Sequence, residues 1–103
     1  GINHACEMET SLMLHMQEDI VNKENIIDNP LTRSTYTGVD LLAGGTVGVS
    51  ASFKELSDHG VIGSPSLATK EKGADLFEII TNKICDFIED FSKWTKPLNG
   101  KNE

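Results

Sequence analysis

Residues 70–94 read as one long amphipathic helix, and no other segment constrains the fold as strongly. Leu76, Ile80, Ile84, Phe87 or Ile88, and Phe91 recur at three- and four-residue spacing, and Phe77 and Cys85 widen the stripe. That period places them along one side of an α-helix. Asp75, Glu78, Asn82, Lys83, Asp86, Glu89 and Lys93 take the other side. Thr69 is placed to N-cap the helix, and Glu71 falls in the first turn, where the helix dipole favours a carboxylate. Pro97 and a polar tail stop it. At a rise of 1.5 Å per residue the segment spans about 37 Å, long for a chain of 103 residues. An apolar face that wide needs a partner, either a sheet from sequence outside this chain or another subunit.

A second helix is expected over residues 8–21. Met8, Leu12, Met16 and Ile20 recur every four residues, with Met13 on an adjacent line, and polar Asn22-Lys23-Glu24-Asn25 ends the run. Between residues 26 and 67 the periodicity fades under Pro30, Gly38, Gly44-Gly45, Gly48, Gly60, Gly63 and Pro65. The apolar runs at 38–42 and 46–49 read as brief strands. Residues 1–103 are thus expected to form one unit of α/β class: two amphipathic helices joined by a long Gly-rich segment with short strands.

Charge narrows the partners. Sixteen acidic against nine basic side chains give a formal charge of −7. That balance argues against nucleic acid, whose phosphates need Lys and Arg, and against an anionic membrane surface. No stretch reaches the roughly 18 apolar residues of a membrane span, and the start lacks a signal peptide's basic-then-apolar layout. Cys6 and Cys85 form neither a CxxC pair nor a disulfide framework. Reduced thiols and a cytoplasmic location are expected. The chain has no initiator Met and opens directly on its most chemically loaded segment. It is therefore expected to be a fragment, or one piece of a larger assembly.

That segment holds His4, Glu7 and Glu9 just before or at a helix start. Imidazole and carboxylate ligate Zn, Mn or Fe, and they move protons near neutral pH. With His4 extended and Glu9 in the first helical turn, both can face one cleft, and the dipole there favours an anion. On spacing alone a solvated helix start is the favoured reading, because this is not the HExxH pattern that forces two ligands together. Other candidates read as structure. His15 belongs to packing or the polar surface, and His59 to the turn Ser57-Asp58-His59-Gly60. A Cys6 nucleophile activated by His4 lacks a third, orienting group. Cys85 is assigned to the core and Trp94 to a packing anchor. Gly44-Gly45-Thr46-Val47-Gly48 lacks the Gly-Lys-Ser/Thr ending of a phosphate loop and reads as the rim of a site.

The wording of two blocks then adds a family. His4-Ala5-Cys6-Glu7-Met8-Glu9-Thr10-Ser11-Leu12-Met13-Leu14 is similar to the His-Ala/Gly-Gly-x-x-Glu-Thr-Ser-Leu-x-Leu segment of the creatininase family. Gly60-Val61-Ile62-Gly63-Ser64-Pro65, followed by Ala68-Thr69-Lys70-Glu71-Lys72-Gly73, resembles its Gly-Val-x-Gly-Asp-Pro and Ala-Thr/Ser-x-Glu-Lys-Gly stretch. Order and spacing agree from His4 to about Phe91. Cys6 stands where Gly is usual, and Ser64 where Asp is commoner.

The resemblance implies the C-terminal part of a creatininase-like three-layer α/β/α fold. It implies a metal-dependent hydrolase acting on C–N bonds of a cyclic amide or formamide. His4 would be the catalytic residue, assisting proton transfer at a small-molecule amide substrate. Glu9 would be a metal ligand, and Glu7 second shell or polar support. The cofactor would be a dinuclear divalent centre of zinc, manganese or possibly iron. The family's Glu-x-His-Gly-x-His-type segment, Asp and Gly-His-rich loop are missing from this sequence. The isolated chain is therefore expected to be inactive and to need a missing N-terminal half or sister subunits, in a homo-oligomer. The alternative is a non-catalytic truncated interaction module that assembles through its helix faces.

Overall fold

The computed structural model describes residues 2–31, 36–38 and 42–94. Helix α1 runs Glu7–Gln17, the single turn α2 is Phe53–Leu56, and the long α3 is Lys70–Phe91. Three short 3-10 turns, Glu18–Ile20, Lys23–Asn25 and Pro65–Leu67, tighten the connections. The long helix starts as its sequence predicts: Thr69 is extended and its hydroxyl accepts the Lys72 N–H at 3.1 Å. Pro97 and the tail lie outside the described residues. The first helix starts one residue early and ends at Gln17, with Glu18–Ile20 continuing as a 3-10 turn. There Lys23 and Lys70 both pair with Glu18, fastening the end of α1 to the start of α3. Hydrogen bonding to Lys23 first, and then to Lys70, holds the Glu18 carboxyl below its ordinary pKa.

Helices α1 and α3 meet closely at one point. A Cβ on Gly73 would lie 1.9 Å from the carbonyl oxygen of Ser11 and 2.8 Å from Cβ of His15. Only glycine allows the two backbones to approach so far. Ser11, fully buried, uses its hydroxyl twice. It donates to the Glu7 carbonyl at 2.6 Å and accepts the Thr69 N–H at 3.2 Å. His15 packs its ring on Phe77 with centroids 5.5 Å apart. Around this crossing sits a small core of Cys6, Leu14 and Ile62.

The expected strands are not formed among the described residues. Two isolated antiparallel bridges occur instead, His4 with Ile62 and Asn29 with Gly63. Both nitrogen-to-oxygen pairs of each bridge are made, at 2.8–2.9 Å. Residues 46–49 are exposed and belong to no strand among the described residues; Val47 N–H returns to the Tyr36 carbonyl at 3.0 Å. An apolar run becomes a strand only where another backbone completes its ladder. Of the run at 38–42, residues 39–41 lie outside the described set.

Cys85 also departs from expectation: it is exposed, not core. The cause is reach. Glu7, Ser11 and His15 of α1 meet α3 at Lys72, Gly73 and Phe77, and Cys85 lies about two turns further along the helix. Ile84, Phe87, Ile88 and Phe91 are each more than half exposed. Near its end Phe87, Phe91 and Trp94 form a ring cluster with centroids 5.2–6.1 Å apart, and Trp94 donates its indole N–H to Asp90 at 2.9 Å. No helix among the described residues is long and apolar enough to cross a membrane.

Candidate functional site

The site segment begins where the chain changes from extended to helical. His4 is fixed as extended by its two backbone hydrogen bonds with Ile62, at 2.9 and 2.8 Å. Ala5 then takes φ of +47°, a left-handed conformation that costs an L-residue about 1–2 kcal/mol. Cys6 follows as the N-cap of α1. Its N–H donates to Glu9 Oε2 at 3.0 Å, closing a capping box. Cys6 is wholly buried and serves the helix start. A nucleophile needs access that this thiol lacks.

Glu7 and Glu9 do not share a face. Two residues apart on a helix, they point about 200° from one another. Glu7 turns toward α3 and pairs with Lys72 at 2.7 Å, at the edge of a groove of about 260 Å³ that Ile2, Met8, Asp75 and Leu76 also line. Glu9 is exposed on the far side. It lines a groove of about 360 Å³ with Ala5, Thr10, Met13, Ile20 and Val21. One Glu9 oxygen is engaged by Cys6, and Oε1 has no partner among the described residues. The His4 imidazole is exposed, and its neighbour is the Phe53 ring, with centroids 4.5 Å apart and planes at 63°. His15 and His59 stay apart from this segment: His15 packs on Phe77, and His59 lies 3.4 Å from the Ser57 hydroxyl in its turn.

As for a metal, the described residues contain no group of three or more His, Cys, Asp or Glu side chains able to hold an ion. Glu9 offers a single carboxylate. The described residues alone do not fit a dinuclear centre, whose ions each need several ligands.

Two residues of this region escaped the sequence reading. Phe53 lies at the first position of α2, where the Ser52 N–H and hydroxyl both donate to Glu55 Oε2 at 2.8 Å. The Ser-x-x-Glu spelling of residues 52–55 is the signal that could have located this helix start. Asn29 is the other. Its side-chain amide donates to the carbonyls of Leu56 and Val61, at 3.1 and 2.9 Å, tying α2 to the segment that pairs with His4. Beside it Asp28 accepts the Ser66 N–H and hydroxyl, which hold its carboxyl below the ordinary range.

The two blocks singled out in the sequence prove to be each other's packing partners. His4 pairs with Ile62, Glu7 with Lys72, and Ser11 with Thr69 and Gly73. No curated protein and no solved structure gives a significant match to the chain. A family profile does match, over residues 1–88, and its description is creatininase, creatinine amidohydrolase. The family is hydrolytic, generally metal-dependent and of α/β type, although almost no strand forms in the residues described here. Since that match spans both blocks, α1 and nearly all of α3, the chain belongs to the creatininase family of amidohydrolases.

Proposed function

We propose that this chain supplies one wall of a metal-dependent amidohydrolase site that cleaves a C–N bond of a cyclic amide or formamide. His4 moves the proton at the substrate. Glu9 provides one ligand to a divalent centre of zinc or manganese, whose other ligands come from outside the described residues. Glu7 supports the wall through Lys72. The observation carrying this reading is the state of the matched segment. Its buried groups are satisfied, while His4 and the free oxygen of Glu9 stay exposed at the positive end of α1. In this reading the wall belongs to a three-layer α/β/α fold, and the open stripe of α3 lies against the remainder of it.

Titration of the full chain with Zn²⁺ or Mn²⁺ by calorimetry tests the ligand. Weak binding is expected, abolished by Glu9→Gln and kept by Glu7→Gln. Tight stoichiometric binding that survives Glu9→Gln would overturn the assignment. A second reading, a non-catalytic module assembling through its helix faces, draws on the exposed apolar stripe of α3. It predicts a cooperative complex that forms without metal and is indifferent to His4→Gln.

A further inference from the structure

The His4 backbone is pinned by its pairing with Ile62, but that pairing leaves the two side-chain torsions open. Among the described residues neither ring nitrogen of His4 has a hydrogen-bond partner. What meets the ring is Phe53, edge to face, at 4.5 Å between centroids and 63° between planes. Phe53 is itself well held. It opens α2, its carbonyl accepts the Ser57 N–H at 2.8 Å, and the Asn29 amide clasps the end of that turn at Leu56. The same Asn29 pairs by its backbone with Gly63, the residue after the one that pins His4. Ring and imidazole are thus carried on one hydrogen-bonded frame that runs from His4 through Ile62, Gly63 and Asn29 to α2. Phe53 does not complete the core, since 56% of its surface remains open.

We propose that Phe53 is the positioning residue of His4, selecting one imidazole rotamer and forming an apolar wall beside it. The inference rests on the reading of His4 as proton carrier. Edge-to-face aromatic pairs contribute about 0.5–1.5 kcal/mol beyond area burial, equivalent to a roughly two- to twelvefold preference for the touching rotamer. The neighbouring wall also keeps one side of the imidazole from solvent, so the ring is offered to substrate from a restricted direction.

NMR on the full chain, with labelled histidine, tests this through the side-chain couplings and imidazole shifts of His4. A single dominant rotamer and a nuclear Overhauser contact to Phe53 are expected in the unmodified protein. Phe53→Leu, which keeps an apolar side chain, is expected to lower the rotamer preference about fivefold and to remove the ring-current shift; Phe53→Tyr restores both. Slow exchange of the His4 and Ile62 amides in each variant confirms that the frame is intact. Rotamer averaging in the unmodified chain, or an unchanged His4 signature in Phe53→Leu, overturns the proposal. The proton role is tested separately, by hydrolysis in the complete enzyme. If His4→Gln left that activity unchanged, the role of His4 would fall while the ring contact stood.

Discussion

Gly73→Ala puts the crossing of α1 and α3 to a quantitative test. In a solvated helix interior the change stabilises by about 0.8–1 kcal/mol, because alanine has the higher helix propensity. Here the new methyl would sit 1.9 Å from the Ser11 carbonyl oxygen, when real contacts do not fall below 3.0 Å, so the gap must open by more than 1 Å. The atom in the way is backbone and cannot rotate aside. Overpacking of this kind costs about 1–3 kcal/mol. The Thr69 N–H to Ser11 hydrogen bond, already 3.2 Å long, cannot survive such an opening, and its loss costs about 1 kcal/mol more. The balance is a destabilisation of about 2 kcal/mol. Urea unfolding followed by circular dichroism measures it, with Thr81→Ala as the control. Thr81 is exposed on the same helix, and its replacement is expected to gain about 0.5 kcal/mol. If Gly73→Ala raised the midpoint as the control does, the close approach would be refuted.

The other expectations are more local. Cys85 is exposed and Cys6 has no accessible surface, so a thiol reagent should modify Cys85 rapidly and Cys6 only at the rate of unfolding. Two equally fast thiols would contradict the buried N-cap. Glu18 and Asp28 have lowered pKa values, from pairing with Lys23 and Lys70 and from bonding to Ser66 respectively. A depressed carboxyl contributes stability above its unfolded pKa, near 4, and that contribution disappears as pH falls through the folded value. The acid limb of stability should therefore decline from about pH 4 downward. Ser66→Ala should return the Asp28 titration, followed by carboxyl NMR, toward the ordinary value; an unmoved titration would show that Ser66 is not the cause.

What could be read from the sequence was whatever short-range physics determines. The stripes of α1 and α3 follow from the helical period, and Thr69 announces its cap by residue type alone. Residues whose meaning depends on a distant partner stayed hidden. Gly73 reads as a weak spot in a helix until Ser11 is seen against it. Cys85 looks like core because its neighbours are apolar, yet burial requires something to lie over it, and among the described residues Cys85 stays exposed. Among the described residues the apolar run at 46–49 bonds to the Tyr36 carbonyl through Val47 and forms no strand. Phe53 could not be tied to His4, because the link passes through Asn29, Gly63 and Ile62.

The family signature separates along the same line. Ser11 has its hydroxyl engaged by Glu7 and Thr69, and the Thr69 hydroxyl by Lys72. The Lys72 ammonium is shared by Glu7 and the Leu67 carbonyl. Gly73 is used for its missing side chain. These motif residues spend their bonding capacity on one another, and a group so occupied has little left for a ligand. His4 and Glu9 differ. They are exposed, and the His4 ring nitrogens and Glu9 Oε1 are unpartnered among the described residues. The segment at residues 4–11 therefore combines a clasp that holds α1 on α3 with two side chains free to meet something else. Loss of the clasp should appear first as lost stability. Loss of the His4 ring should leave the fold intact, and so should Glu9→Gln, which keeps an oxygen for the Cys6 N–H at the start of α1.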